Sequence, residues 1–233
     1  MVTAVILAGG LGTRLRSAVP DHPKPMAPLN GRPFLEYLLD YWAGQGVERF
    51  ILSVGYLREQ IIRHFGGHYR SAHIDYVSEE SPLGTGGALL QATQTIAPEE
   101  YFLMLNGDTF FAVSLPQLQA YAHENQTDCC FSLFRANEVD RYMSIELATN
   151  GSITKLKSGR SVAGSLANGG VYYMKRSVLM EEHYAKGQKL SFEDEILPTA
   201  QAAQRRLYGK EFAGTFIDIG VPEDYRRASQ ILC

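Results

Sequence analysis

Residues 7–26, LAGGLGTRLRSAVPDHPKPM, concentrate phosphate-binding chemistry at the end of an apolar run. Gly9, Gly10 and Gly12 form a bare turn in which backbone N–H groups can approach phosphate oxygens, with Leu7 and Ala8 leading into it. Thr13 adds a hydroxyl, Arg14 a guanidinium able to grip a phosphate bidentately, and Lys24 a point charge. Pro23 and Pro25 restrict the backbone around Lys24, so less entropy is lost when its side chain binds. A P-loop is excluded because no Gly-Lys-Ser/Thr ending is present. The dinucleotide fingerprint is excluded because Leu15 stands where its last glycine belongs. The chemistry indicated is the binding of a nucleoside triphosphate.

The elements that must position these residues follow from the apolar pattern. Strands are expected at 2–7, 47–55, 73–77, 100–108 and 128–134, and helices at 33–43, 56–65, 88–96 and 115–125. Phe34, Leu35, Leu38, Leu39 and Trp42 share one helical stripe. This β-α alternation predicts an α/β fold: a Rossmann-like, mostly parallel sheet with helices on both faces and ligands at the strands' carboxyl ends. Beyond residue 140 the rhythm changes to a hairpin around Asn150-Gly151, a strand at NGGVYYMK, a helix near 190–203, a strand near 206–212, the short TFIDIG and a final helix from 222. No linker or repeat divides the chain. One domain over 1–233 is expected, with a nucleotide-binding part (1–135) and a lid or acceptor-side part (136–233).

Composition narrows the function. The 233 residues are 45% hydrophobic and carry a net charge of −3, so no basic field for nucleic acid exists. Cys129, Cys130 and Cys233 form neither a disulfide framework nor a zinc pattern and suit a reducing compartment. No signal peptide and no apolar run near a membrane span's roughly 18 residues are present, so a cytoplasmic protein without membrane partners is expected. His64 and His68 have a metal-like spacing, but Gly66-Gly67 should break the helix between them. The MEEHY run at 180–184 reads as a solvated helix face.

The motif LAGGLGTRL…PKPM resembles the signature of the sugar-1-phosphate nucleotidyltransferases. The resemblance continues in order through PLGTGGAL (82–89), LNGDTFF (105–111), NGGVY (168–172), SFEDEILP (191–198) and FIDIGVPEDY (216–225). It implies a nucleotidyltransferase fold of the glycosyltransferase-A type, Mg²⁺, and a reaction of a nucleoside triphosphate with a sugar 1-phosphate to give a nucleotide sugar and pyrophosphate. It also implies roles. Arg14, Lys24 and Asp108 form the catalytic set. Asp108 and Asp218 match the metal carboxylates, and Gly84 and Thr85 match residues that lie against base and ribose. Asn168, Gly169 and Gly170 match a segment where the sugar approaches backbone, and Glu193 a reader of sugar hydroxyls, with Asp194 beside it. Relatives carry a Glu-Lys pair where this chain has Ser158-Gly159. Lys157 or Arg160 is expected to replace that lysine's phosphate contact.

Where pyrimidine-using relatives carry a glutamine, this chain has Glu79. A carboxylate only accepts hydrogen bonds. Guanine offers two donors on one edge, whereas uracil and thymine flank their single donor with acceptor oxygens. GTP is therefore the expected nucleotide. Within the family, SPLGTGGA and LNGDTFF bring the closest resemblance to the D-glycero-α-D-manno-heptose 1-phosphate guanylyltransferases. Transfer to mannose 1-phosphate or another hexose 1-phosphate is the rival, and a non-catalytic nucleotide-sugar-binding subunit the rival of another class. A homodimer is compatible with the sequence.

Overall fold

The computed structural model describes residues 1–10, 12–15, 18–137, 141–157 and 162–232. In chain order the strands are β1 (Val2–Leu7), β2 (Pro28–Leu29), β3 (Arg32–Pro33), β4 (Val47–Val54), β5 (His68–Tyr69), β6 (Ala72–Ser78), β7 (Tyr101–Asn106) and β8 (Thr109–Phe111). They continue as β9 (Cys129–Arg135), β10 (Ser144–Leu147), β11 (Ile153–Lys157), β12 (Leu166–Lys175), β13 (Leu207–Glu211) and β14 (Phe216–Asp218). The helices are α1 (Phe34–Ala43), α2 (Arg58–Phe65), α3 (Gly84–Ala92), α4 (Leu115–Glu124), α5 (Leu197–Ala202) and α6 (Pro222–Ile231).

The amino-terminal half holds the expected parallel α/β sheet. β1 pairs in parallel with both β4 and β7, and β4 with β6. β1 and β7 are apolar along their length because both faces are covered. Ala4, Ile6, Leu103 and Leu105 point into one core with α1, α2, α4 and α6, whereas Val5, Phe102 and Met104 point into the other with α3 and α5. The period-2 alternation of a strand produces this division.

Two details depart from the sequence reading, and the strand order, which that reading did not assign, is a further finding. The strand at 129–135 does not follow β7 in the sheet. β12 lies between them, antiparallel to β7 and to β9, and β13 then pairs parallel to β9. The third helix starts at Gly84, so GTGG is its first turn and no longer a loop before it. The helix expected near 190–203 is a π-helical turn at Phe192–Ile196 running into α5. The hairpin is as expected: β10 and β11 are antiparallel, and the Asn150 side chain caps the turn by accepting from the Ser152 N–H at 3.0 Å. α2 ends at Gly66 with φ of 60°, which separates His64 on the helix from His68 on β5. At 181–183 the expected helix face is a single 3₁₀ turn. Among the described residues no helix is long and apolar enough to cross a membrane.

Candidate active site

The site lies at the carboxyl ends of β1, β4, β6 and β7. A cleft of about 280 Å³ is lined on one side by Leu7, Gly9, Gly10, Glu79, Asn106 and Asp108, and on the other by Pro82, Gly84, Thr85 and Ala88. Ala8 is buried and donates to the Ser53 carbonyl at 2.8 Å, tying the glycine turn to the end of β4. Thr13 and Arg14 are exposed. Gly12 sits against the Lys24 side chain, so this segment leads from the cleft to the lysine.

Lys24 stands on a 3₁₀ turn (Lys24–Met26) whose Pro25 and Met26 are buried, leaving the lysine directed away from the core. Its ammonium forms an ion pair with Asp108 and lies 3.9 Å from Asp218. The convergence of two carboxylates so distant in sequence has a local cause. β8 and β14 pair antiparallel with Asp218 opposite Thr109, and the Ile219 N–H donates to the Asp108 carbonyl at 3.0 Å. Burial and the neighbouring Asp108 charge raise the Asp218 pKa above the ordinary carboxylate value, while the Lys24 and Arg141 charges and the Gly220 N–H oppose the rise. Arg141 lies 3.9 Å from Asp218 and is paired with Asp224, which is only 2% exposed at the start of α6.

Glu79 is held as an anchored acceptor. Buried Ser53 donates to one carboxylate oxygen at 3.3 Å and the Leu83 N–H to the other at 3.0 Å. Each oxygen retains a further lone-pair position. The carboxylate lies so close over Gly9 that a Cβ there would come within 2.2 Å of it and displace it from this position. Glu80, by contrast, is a solvated side chain paired with Arg58.

The GTGG segment lines the cleft through Gly84 and Thr85 and also makes a second set of contacts. Gly84 has φ of +70°, and a Cβ on it would lie 2.4 Å from the Leu190 carbonyl oxygen. The Gly86 N–H donates to that carbonyl at 2.9 Å, and the Leu190 N–H donates to Leu83 O at 2.8 Å. These glycines admit the 188–193 segment against the first turn of α3. Thr85 donates its hydroxyl to Glu193 at 2.9 Å and accepts from the Phe192 N–H at 2.8 Å.

Across the cleft, Asn168 holds the irregularity in β12. Its amide donates to the Tyr172 hydroxyl at 2.6 Å and its carbonyl accepts from the Gly170 N–H at 3.2 Å. Gly169 lies on Phe111 and Gly170 on the Asn106 amide, which brings this segment to the cleft. Burial raises the Glu193 pKa; its own N–H and the Thr85 hydroxyl lower it, and the Asp194 and Asp108 charges add to the rise. Asp194 turns instead to Ser191, accepting from its hydroxyl at 3.0 Å.

Lys157 is not brought to this group. Its ammonium is paired with Glu146 at 2.6 Å at the end of an edge strand, because Lys155 and Lys157 flank that carboxylate across the β10–β11 hairpin. Among the described residues no hydrogen bond or ion pair joins Lys157 to Asn168, Gly170 or Glu193. Ser158, Gly159, Arg160 and Cys233 lie outside the described residues. Sequence reasoning missed Ser53, Arg141 and Asp224. Their roles come from pairing across the fold; Asp224 stands in the FIDIGVPEDY motif, whereas Ser53 and Arg141 stand in no distinctive local pattern. Asn106 was within reach, since it stands in the LNGD motif that also carries Asp108.

Comparison with known proteins adds an independent line. Residues 3–233 match the Nucleotidyl transferase family. The chain is 38% identical over 229 residues to D-glycero-alpha-D-manno-heptose 1-phosphate guanylyltransferase of Aneurinibacillus thermoaerophilus, covering 98% of this chain and 97% of the relative. A Campylobacter jejuni protein of the same description is 38% identical over 224 residues, covering 95% and 96% of the two chains. The crystal structure of HddC from Yersinia pseudotuberculosis complexed with GMP-PN superposes with a TM-score of 0.86 at 32% identity, over the full length of both chains.

Proposed function

The chain belongs to the nucleotidyl transferase family, and from that premise we propose that it transfers GMP from GTP to D-glycero-α-D-manno-heptose 1-phosphate, releasing pyrophosphate. The observation that carries this reading is the meeting of Lys24, Asp108 and Asp218 beside a cleft whose floor holds Glu79. The full-length likeness to two heptose 1-phosphate guanylyltransferases, and to a protein crystallised with GMP-PN, supports both the base and the acceptor.

The acceptor phosphate is largely dianionic near neutral pH and needs no base. The barrier is the approach of two anions and the charge that develops at the α-phosphorus and on departing pyrophosphate. Positioning and cations lower it. The turn Gly9–Gly10–Gly12 with Thr13 and Arg14 holds the triphosphate, and Lys24 places an ammonium beside the reacting phosphates. Glu79 accepts from guanine N1–H and the 2-amino group. Gly170 and Glu193 take the sugar.

The residues present fit a divalent cation. Asp108 and Asp218 are hard oxygen donors sharing one ammonium, and burial, with the Asp108 charge second, raises the Asp218 pKa. Mg²⁺ keeps waters and substrate phosphates as its other ligands, so two protein carboxylates are a sufficient protein share. Asp108 and Asp218 would hold it, and it would supply charge neutralisation at the phosphates.

The test is pyrophosphate release from GTP and Mg²⁺ with either D-glycero-α-D-manno-heptose 1-phosphate or mannose 1-phosphate. The heptose phosphate should be preferred in kcat/KM by at least about tenfold, the scale of one hydroxyl-bearing contact. Preference for mannose 1-phosphate would refute the acceptor, and preference for UTP the base.

A further inference from the structure

Thr85 matches a family position assigned to the nucleotide, yet its hydroxyl is engaged elsewhere. It donates to Glu193 at 2.9 Å and accepts from the Phe192 N–H at 2.8 Å. A hydroxyl has one proton to give, and Thr85 gives it to the acceptor-side carboxylate. Around this bond, the Gly86 N–H at 2.9 Å reaches the Leu190 carbonyl, and Leu190 returns a bond to Leu83 at 2.8 Å. Glu193 stands on the π-helical turn, defined by i to i+5 bonding of the Ile196 N–H to the Ser191 carbonyl at 3.2 Å. Such a turn adds a residue to the helical repeat and re-aims the side chains it carries. Phe192 and Ile196 anchor the turn in the core, but the partly buried Glu193 side chain extends from it and is steadied by a partner from outside the turn.

We propose that Thr85 is the positioning residue of Glu193, fixing the acceptor-reading carboxylate to the first turn of α3, and that its side chain is not a nucleotide ligand. This rests on the reading of Glu193 as the group that binds the sugar. One hydroxyl thereby joins the helix that walls the nucleotide cleft to the segment that reads the acceptor. The raised Glu193 pKa agrees with a carboxylate drawn out of water and steadied by few donors.

The experiment compares steady-state KM for GTP and for D-glycero-α-D-manno-heptose 1-phosphate in wild type, T85V, T85S and E193Q. T85V keeps shape but removes the hydroxyl; T85S restores it. T85V is expected to raise the acceptor KM about tenfold, the size of one lost charge-assisted hydrogen bond, and to leave the GTP KM within about twofold. T85S returns the acceptor KM to within about threefold of wild type. A T85V protein whose GTP KM rises as much as its acceptor KM overturns the proposal, as does T85V with both constants unchanged while E193Q raises the acceptor KM. If E193Q itself leaves the acceptor KM unchanged, the sugar role of Glu193 fails and the proposal falls with it. If T85V does not fold, Thr85→Ala is read in the same way, with T85S again required to restore the acceptor KM.

Discussion

Replacing Lys24 with alanine removes the one ammonium shared by Asp108 and Asp218. At the 3.9 Å separation from Asp218, and an effective dielectric of about 20, the lost attraction is roughly 4 kcal/mol before compensation. Protonation of one carboxylate and water entering the space vacated by the side chain return much of that. A net destabilisation of about 1–3 kcal/mol remains, which for a chain of this size lowers Tm by several degrees. The catalytic loss is separate and larger. An ammonium set where charge develops stabilises the transition state more than the ground state, and removing it should cut kcat by about 10²–10³. Pyrophosphate release is measured at saturating GTP and heptose 1-phosphate, well below the variant's Tm as located by circular dichroism. Lys24→Arg keeps charge but not the compact ammonium, and should recover part of the rate. A folded Lys24→Ala enzyme turning over within tenfold of wild type would refute the assignment of Lys24 to the reacting phosphates.

Glu79→Gln should lower the GTP-over-UTP ratio of kcat/KM by about 10-fold or more, because an amide offers a donor where the carboxylate presents two acceptors; an unchanged ratio removes Glu79 from base reading. Gly84→Ala should cost about 2 kcal/mol or more in urea denaturation, since the left-handed backbone and the Leu190 carbonyl both oppose a Cβ; a loss under about 0.5 kcal/mol contradicts the close approach. Glu193→Gln should stabilise the protein at neutral pH. With its pKa raised in the folded state, Glu193 contributes stability that is full below its unfolded pKa and is lost as pH rises through the folded one. The variant's Tm should exceed wild type by about 2 °C at pH 7.5, the gap closing toward pH 4; a gap that widens on acidification reverses the assigned direction.

The parallel half of the fold was legible because its strands are short continuous apolar runs and its helices carry single apolar stripes, both fixed by local periodicity. The place of β12 was not, because strand order depends on which edges meet late in folding and leaves no local trace. In the site, motif residues that lie on strand ends were legible: Asp108 and Asp218 meet as expected because β8 and β14 align them. A second use of GTGG could not be read from the sequence, for a physical reason. Glycine runs permit close approach of any backbone, and here the approaching chain is residues 188–193. Lys157 was assigned by proximity in sequence; in the structure Glu146 across the hairpin pairs with its ammonium. Arg141 and buried Asp224 could not be paired without coordinates, since nothing in either segment names the other.

The interposed strand β12 has a consequence for biogenesis. As the chain leaves the ribosome, residues 1–135 already contain β7 and β9, yet the ribbon that joins them is synthesised later. Until Lys175 emerges, both strands carry unpaired edges of apolar sequence, a state prone to misassociation. The amino-terminal half is thus not a self-sufficient nucleotide-binding module, and dividing the gene near codon 135 should yield two insoluble pieces in place of one enzyme in halves.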